Sequence, residues 1–76
     1  MKVTKANTQK LRTIVLKLMR ETANKGECIG MATPDIIEGL CNSLEKDPSQ
    51  WFAAGMQLMQ VGLINYDYYN VLTGKG

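Results

Sequence analysis

The stretch GLINYDYYNVLTGKG, residues 62–76, decides the fold, because the segments before it have clearer patterns. It is rich in β-branched and aromatic residues, which favour strands, and its Asn and Asp residues tolerate turns. We therefore predict a β-hairpin over about residues 63–73 that turns near residues 67–68. A short fourth helix over residues 65–72 is the alternative. The strand-favouring residues are Ile64, Tyr66, Tyr68, Tyr69, Val71 and Thr73.

Three helices are predicted before this stretch, over about residues 4–25, 33–45 and 47–61. In the first, apolar residues recur at helical spacing, and Lys25 and Gly26 supply a stop signal. The second begins at the N-cap Thr33 followed by proline, and the third begins in the same way at Asp47. Gly39 is costly inside the second helix, which predicts a close approach of another backbone there.

The third predicted helix is apolar on most of its circumference, so it is expected to be central to the core. Trp51, Phe52, Met56 and Met59 are expected to face inward. The positions expected to face outward are Ser49, Gln50, Ala53, Gln57 and Gln60.

The size and composition of the chain predict a single domain over residues 1–76. Hydrophobic residues make up 45% of the sequence, which is enough for a compact fold. The formal net charge is only +2, but most lysines and arginines lie in the first 25 residues, which form a basic pole. Such an asymmetry indicates an anionic partner for one face.

The order of these segments resembles a winged-helix domain, in which a short strand and three helices precede a hairpin called the wing. Residues 28–31 (CIGM) stand where the short strand would be, and Leu58 followed by residues 62–64 (GLI) matches the usual end of the third helix. Residues 72–76 (LTGKG) match the close of the wing. One departure is Asn70, which stands where the family usually has tyrosine. The resemblance implies a mostly α fold with a small C-terminal β-hairpin, and an all-α helical bundle is the alternative.

The sequence lacks the residues that most catalytic and metal sites need. It contains no histidine, which removes the commonest general base and the commonest transition-metal ligand. No nucleophile–base pair and no phosphate-binding glycine motif is present. We therefore expect a protein that is not an enzyme, with no cofactor and no metal site. Cys28 and Cys41 are expected to be buried free thiols, with a disulfide as the alternative.

The first functional hypothesis is a small winged-helix regulator of transcription that binds DNA. Helix 1 would contact backbone phosphates, and the third helix would contact bases through glutamine and serine. The third helix itself has no lysine or arginine, which argues against this hypothesis. The candidate nucleic-acid-binding residues are Lys5, Lys10, Lys17, Arg20, Ser49, Gln50, Gln57 and Lys75.

The second hypothesis is a protein–protein interaction module, either an adaptor or a small inhibitor such as a phage-type modifier of host machinery. Its candidate interface residues are Tyr66, Tyr68 and Tyr69, because tyrosine clusters favour protein interfaces. A homodimer is compatible with both hypotheses. No signal peptide and no membrane-spanning segment is expected, which predicts a cytoplasmic protein with no membrane partner.

Overall fold

The computed structural model describes residues 7–74, and these residues form four α-helices and one short 3₁₀ helix. In chain order they are α1 (Thr8–Asn24), α2 (Pro34–Lys46), the 3₁₀ helix (Pro48–Gln50), α3 (Trp51–Gln60) and α4 (Tyr66–Leu72). Within this part of the chain there is no β-strand, and the only β-type pairing is an isolated bridge between Ile29 and Ala32. The fold is therefore all-α, which was the alternative to a winged helix.

The predicted C-terminal hairpin over residues 63–73 is wrong, because this segment forms α4 instead. Gly62 ends α3 with a φ of 83°, and the Leu63 amide donates to the Leu58 carbonyl at 2.9 Å. Asn65 then starts α4, since its side-chain oxygen accepts from the Tyr68 amide at 2.9 Å. The asparagine that suggested a turn is thus a helix N-cap. Packing of α4 against the core overrides the strand preference of its tyrosines and valine.

The core lies where one face of each helix meets the others, with Trp51 at its centre. Trp51 is 1% exposed and is the largest fully buried side chain in residues 7–74. Both α1 and α3 pack against α4, and α1 also packs along α2. The buried residues are Leu11, Val15, Leu16, Met19, Ala23, Ile37, Cys41, Leu44, Trp51, Ala54, Leu58, Ile64, Val71 and Leu72.

The starts of α2 and of the 3₁₀ helix lie where the sequence indicates, although the Thr33 side chain makes no capping hydrogen bond to α2. Pro34 takes the first position of α2 after Thr33. At the 3₁₀ helix, Asp47 Oδ1 accepts from the Ser49 amide at 3.1 Å and from Ser49 Oγ at 2.6 Å. These hydrogen bonds to Ser49 hold the pKa of Asp47 below its usual value. Since the capping carboxylate also satisfies an amide that has no partner inside the helix, α3 has a defined entry.

Both cysteines are free thiols in different environments. Cys41 is fully buried, as predicted, and its burial raises the pKa of the thiol. Cys28 is exposed, so the prediction that it is buried is wrong. It lies in the loop between α1 and α2, which turns at Gly30. The Cys28 side chain is on the outside of this loop and not in the core.

Gly55 and Gly39 are expected to respond in opposite ways to substitution by alanine. A Cβ on Gly55 would lie 2.9 Å from Tyr69 Cδ2, whereas a Cβ on Gly39 would have nothing within 4 Å. The predicted close backbone approach at Gly39 is therefore wrong, and the crowded glycine is Gly55, which lies against the side-chain ring of Tyr69. We expect Gly39→Ala to stabilise the fold by up to about 1 kcal/mol through helix propensity. Gly55→Ala should destabilise it by about 1 kcal/mol or more, because overpacking against the tyrosine ring exceeds that gain.

Urea denaturation of the two variants, followed by circular dichroism, measures this difference. Each variant serves as the control for the other, because the substitution and the helical context are the same. Equal shifts of the two midpoints would contradict the close contact between α3 and α4.

Candidate interaction surface

The side chain of Arg12 in α1 binds other parts of the fold and is not free to bind a ligand. Its Nη2 and Nε donate to the Leu72 carbonyl at 2.6 and 3.0 Å, and the guanidinium carbon lies 5.8 Å from the centre of the Trp51 ring. Partial burial lowers its pKa, but an arginine stays charged at neutral pH. One cation of the predicted basic pole is thus used to join α1 to the end of α4.

Arg20, a predicted phosphate contact, is also engaged within the chain. Its Nη1 lies 2.7 Å from Glu45 Oε1, and its Nη2 donates to Asn42 Oδ1 at 3.4 Å. The hydrogen bond with Glu45 raises the pKa of Arg20 and lowers the pKa of Glu45. A phosphate would have to compete with this carboxylate, so Arg20 is a weaker anion contact than the sequence predicts.

Lys10 and Lys17 remain as exposed cations on α1. They lie two turns apart on one face, and neither forms an ion pair with another residue of the 7–74 range. A shallow groove beside Lys17 and Arg20 is also lined by Glu21 and Glu45, so its charge is mixed. Lys5 and Lys75, the other two predicted cationic contacts, lie outside the described residues.

The predicted base-reading residues of the third helix do not form one row. Ser49 is bonded to the Asp47 carboxylate, and Gln50 Nε2 lies 3.5 Å from Asp47 Oδ2. Gln57 is exposed about two turns away, where it lines a narrow crevice with Leu40 and Ala54. The carboxylate at one end of this group would repel a phosphate backbone.

The three tyrosines of α4 have two different roles. Tyr66 is 65% exposed, whereas Tyr68 and Tyr69 are half-buried and pack against the core. The rings of Tyr66 and Tyr69 lie 6.4 Å apart in a tilted pair, a favourable distance for aromatic contact. Tyr66 is therefore the tyrosine that presents most of its surface to solvent.

Phe52 and Met56 are exposed neighbours that the sequence analysis placed in the core. They lie one turn apart on α3 and are 46% and 47% exposed. Between them in sequence is Gly55, whose Cα faces the ring of Tyr69. Tyr69 thus lies against α3 at Gly55 and pairs with Tyr66 within α4. We call this row the α3–α4 surface, and it consists of Phe52, Met56, Met59, Tyr66 and Tyr69.

The sequence contains a chemical signal for the α3 part of this surface. Residues 48–66 contain no Asp, Glu, Lys or Arg. A solvent-exposed helix face usually contains charged residues. Their absence from α3, which is apolar on most of its circumference, indicates that part of its outer face is not adapted to water alone.

Other exposed apolar side chains lie away from this surface. Met31 in the loop after α1 is 96% exposed, and Ile36 of α2 is 58% exposed. Ile14 and Leu18 lie one turn apart on α1 and are each 44% exposed. Met31 and Ile36 are single exposed residues, which are normal on protein surfaces, whereas Ile14 and Leu18 lie on a helix that also carries the exposed Lys10 and Lys17.

The fold and the surface define a small all-α domain whose α3 has exposed apolar residues and no charged residue. Comparisons of the chain with models of known protein families, with curated proteins and with solved structures found no match. In residues 7–74 no group of three or more His, Cys, Asp or Glu side chains is placed to hold a metal ion. None of the described helices is both long and apolar enough to span a bilayer.

Proposed function

We propose that this protein is a non-catalytic protein–protein interaction module that docks through the α3–α4 surface. The observation that supports this proposal is that Phe52, Met56 and Tyr66 are each strongly exposed and that α3 has no charged residue, while Arg12 and Arg20 are engaged within the fold. Such a module would serve as an adaptor or as a small inhibitor.

The chemistry of the surface agrees with the composition of known interfaces. Aromatic residues and methionine are enriched at the centres of protein interfaces, and charged residues are depleted there. Burying this row would remove apolar area from water without stripping the hydration shell from an ion. Tyr66 adds a hydroxyl that can donate a hydrogen bond at the rim of the contact.

Nucleic-acid binding through α1 is the second candidate function. The exposed Lys10 and Lys17, on one face of α1, support it, since such lysines bind phosphates without reading sequence. The involvement of Arg20 with Glu45 weakens it, as does the Asp47 carboxylate beside Ser49. The winged-helix mode, with a hairpin against the DNA, is not part of this candidate because residues 66–72 are helical.

Site-specific photo-crosslinking tests the leading proposal. A benzophenone amino acid placed at Phe52 or Met56 should give a discrete adduct with a protein in cells that produce this chain. The same label at Lys17, an exposed position of α1, is the control and should not give that adduct. A discrete adduct at position 17 but not at 52 or 56 would contradict the proposed surface.

Fluorescence anisotropy with a labelled DNA duplex separates the second candidate from the first. Binding that weakens steeply with salt, and that a Lys10→Ala/Lys17→Ala variant loses, would favour the nucleic-acid function. We expect no such binding, and we expect the double variant to retain the adduct at position 52.

A further inference from the structure

The side of α1 that is turned away from the core combines cations with exposed apolar side chains. We propose that this side docks an acidic amphipathic helix of another protein, whose carboxylates meet the lysines and whose apolar side chains cover the isoleucine and the leucine. The inference goes beyond the proposed function, because it concerns a second surface that shares no residue with the α3–α4 surface. We call this side the outer α1 face, and it consists of the exposed residues Lys10, Ile14, Lys17, Leu18, Glu21 and Lys25.

The helical repeat places these six residues in one row. Counted from the first, they follow at four, seven, eight, eleven and fifteen positions, which share one side of a helix of 3.6 residues per turn. Lys25 belongs to the row because it is the C-cap of α1 and has αR backbone angles. At 1.5 Å per residue the row is about 22 Å long. A second helix of about 15 residues matches this length.

The lysines of the outer α1 face lack the anionic partners that the opposite flank has. Arg20 is turned towards α2 and is paired with Glu45 there at 2.7 Å. By contrast, Lys10, Lys17 and Lys25 form no ion pair with any residue of the 7–74 range. Three lysines against one glutamate leave the face positive. Charge complementarity therefore selects an acidic partner for it.

The exposed apolar side chains among these lysines select a partner that also has apolar groups. Ile14 and Leu18 lie one turn apart and are each 44% exposed. The phosphates of a nucleic-acid backbone bind lysines, but they offer no apolar area that would remove these two side chains from water. A shallow depression of about 340 Å³ beside Ile14 can accept an apolar side chain of a partner. Its lining within the described part of the chain is Gln9, Lys10, Thr13 and Ile14.

Glu21 favours a protein over a uniformly anionic surface such as a lipid bilayer. It is exposed one turn from Lys17 and one turn from Lys25. A layer of anionic headgroups would place negative charge against this carboxylate as well as against the lysines. A polypeptide can instead place a donor opposite the glutamate and carboxylates elsewhere. Insertion into a bilayer also needs a wide apolar helix face, and that face of α1 is buried in the core through Leu11, Val15 and Met19.

An NMR titration of the isotope-labelled chain with a synthetic peptide tests this inference. The probe is a peptide of about 15 residues with leucines at helical spacing and glutamates elsewhere. The amide signals that shift should lie in residues 10–25, with a dissociation constant on the order of 100 µM. A second peptide, in which every leucine is replaced by serine, keeps the charge. It should bind about tenfold more weakly, because it cannot cover the exposed aliphatic side chains.

Matched variants of the chain separate the charge from the apolar contact. Lys17→Ala and Leu18→Ser should each weaken binding of the leucine peptide about threefold. Lys46→Ala and Ile36→Ser are the controls, because they remove an exposed cation and an exposed isoleucine from α2, outside the outer α1 face. Both controls should bind like the wild-type chain. Circular dichroism verifies that the helices of all four variants are intact.

A DNA duplex and vesicles of phosphatidylserine are the uniformly anionic probes. We expect both to bind more weakly than the leucine peptide at the same salt concentration. Tighter binding to either probe, unchanged in Leu18→Ser, would overturn the inference. Equal binding of the two peptides would overturn it as well, and so would shifts that lie in α3 and not in α1. The absence of any shift up to roughly 1 mM peptide, ten times the expected dissociation constant, would have the same meaning.

The crosslinking test of the α3–α4 surface distinguishes failure of this inference from failure of the proposed function. An adduct at position 52, from a chain that does not bind the acidic peptide, removes the outer α1 face as a docking site and leaves the proposed function standing. Peptide binding at α1 without an adduct at positions 52 or 56 gives the reverse result. If both tests succeed, the protein has two docking surfaces, as an adaptor requires.

Discussion

Replacing Trp51 by alanine is expected to destabilise the fold by about 3–5 kcal/mol, the usual cost of deleting a large buried aromatic side chain. Trp51 is 1% exposed and lies at the first residue of α3, beneath the Arg12 guanidinium. A domain of this length has a free energy of unfolding of roughly 4–11 kcal/mol. The variant should therefore lose a large part of its free energy of unfolding, and at the lower end of this range it should be unfolded at room temperature.

Urea titration followed by circular dichroism at 222 nm measures this loss without relying on the fluorescence of the deleted indole. Phe52→Ala is the matched control, because Phe52 is the next residue of the same helix but is 46% exposed. We expect it to cost less than about 1 kcal/mol, since only part of its area leaves water on folding. Equal losses in the two variants would show that Trp51 is not the centre of the core.

The helix starts are the part of this fold that the sequence predicts well, because they depend on neighbouring residues. Thr33 with Pro34, and Asp47 with Pro48, mark the beginnings of α2 and the 3₁₀ helix within one residue. Proline at the first helical position and, for Asp47, a side chain that accepts from an amide two positions ahead act locally, so they can be recognised without knowing the tertiary fold. Gly62 marks the end of α3 for the same reason.

The C-terminal segment was mispredicted because its local signals support two structures. Asn65 suits a hairpin turn and a helix N-cap equally, and the tyrosines that favour a strand also pack well on a helix face. The choice is made by tertiary contacts. Val71 and Leu72 are buried and Tyr69 lies against Gly55, which a helix of this short length needs in order to be stable.

The site was predicted less well than the fold because it depends on which side of each helix is covered. The composition of α3 is apolar nearly all round, so the sequence does not indicate that Phe52 and Met56 face outward until α4 is placed. The sequence does not indicate the partners of Arg12 and Arg20 either. Leu72 is 60 residues from Arg12 and Glu45 is 25 positions from Arg20, so no periodic pattern connects them.

Removing the guanidinium of Arg12 is expected to have the second largest effect. Arg12→Ala should destabilise the fold by about 2 kcal/mol, combining a charge-assisted hydrogen bond with a partly exposed cation–π contact. The loss leaves the Leu72 carbonyl, at the negative end of the α4 dipole, without its cation. Lys10→Ala, which deletes an exposed cation of the same helix, should change the free energy of unfolding by less than about 0.5 kcal/mol.

Arg12→Lys then decides which property of the guanidinium matters. If a positive charge at the end of α4 is sufficient, the lysine variant should be close to wild type in chemical denaturation. We expect instead a loss of about 1 kcal/mol, because an ammonium group cannot make the paired contact and stacks less well on an indole. A lysine variant as stable as wild type would contradict this account of the pair.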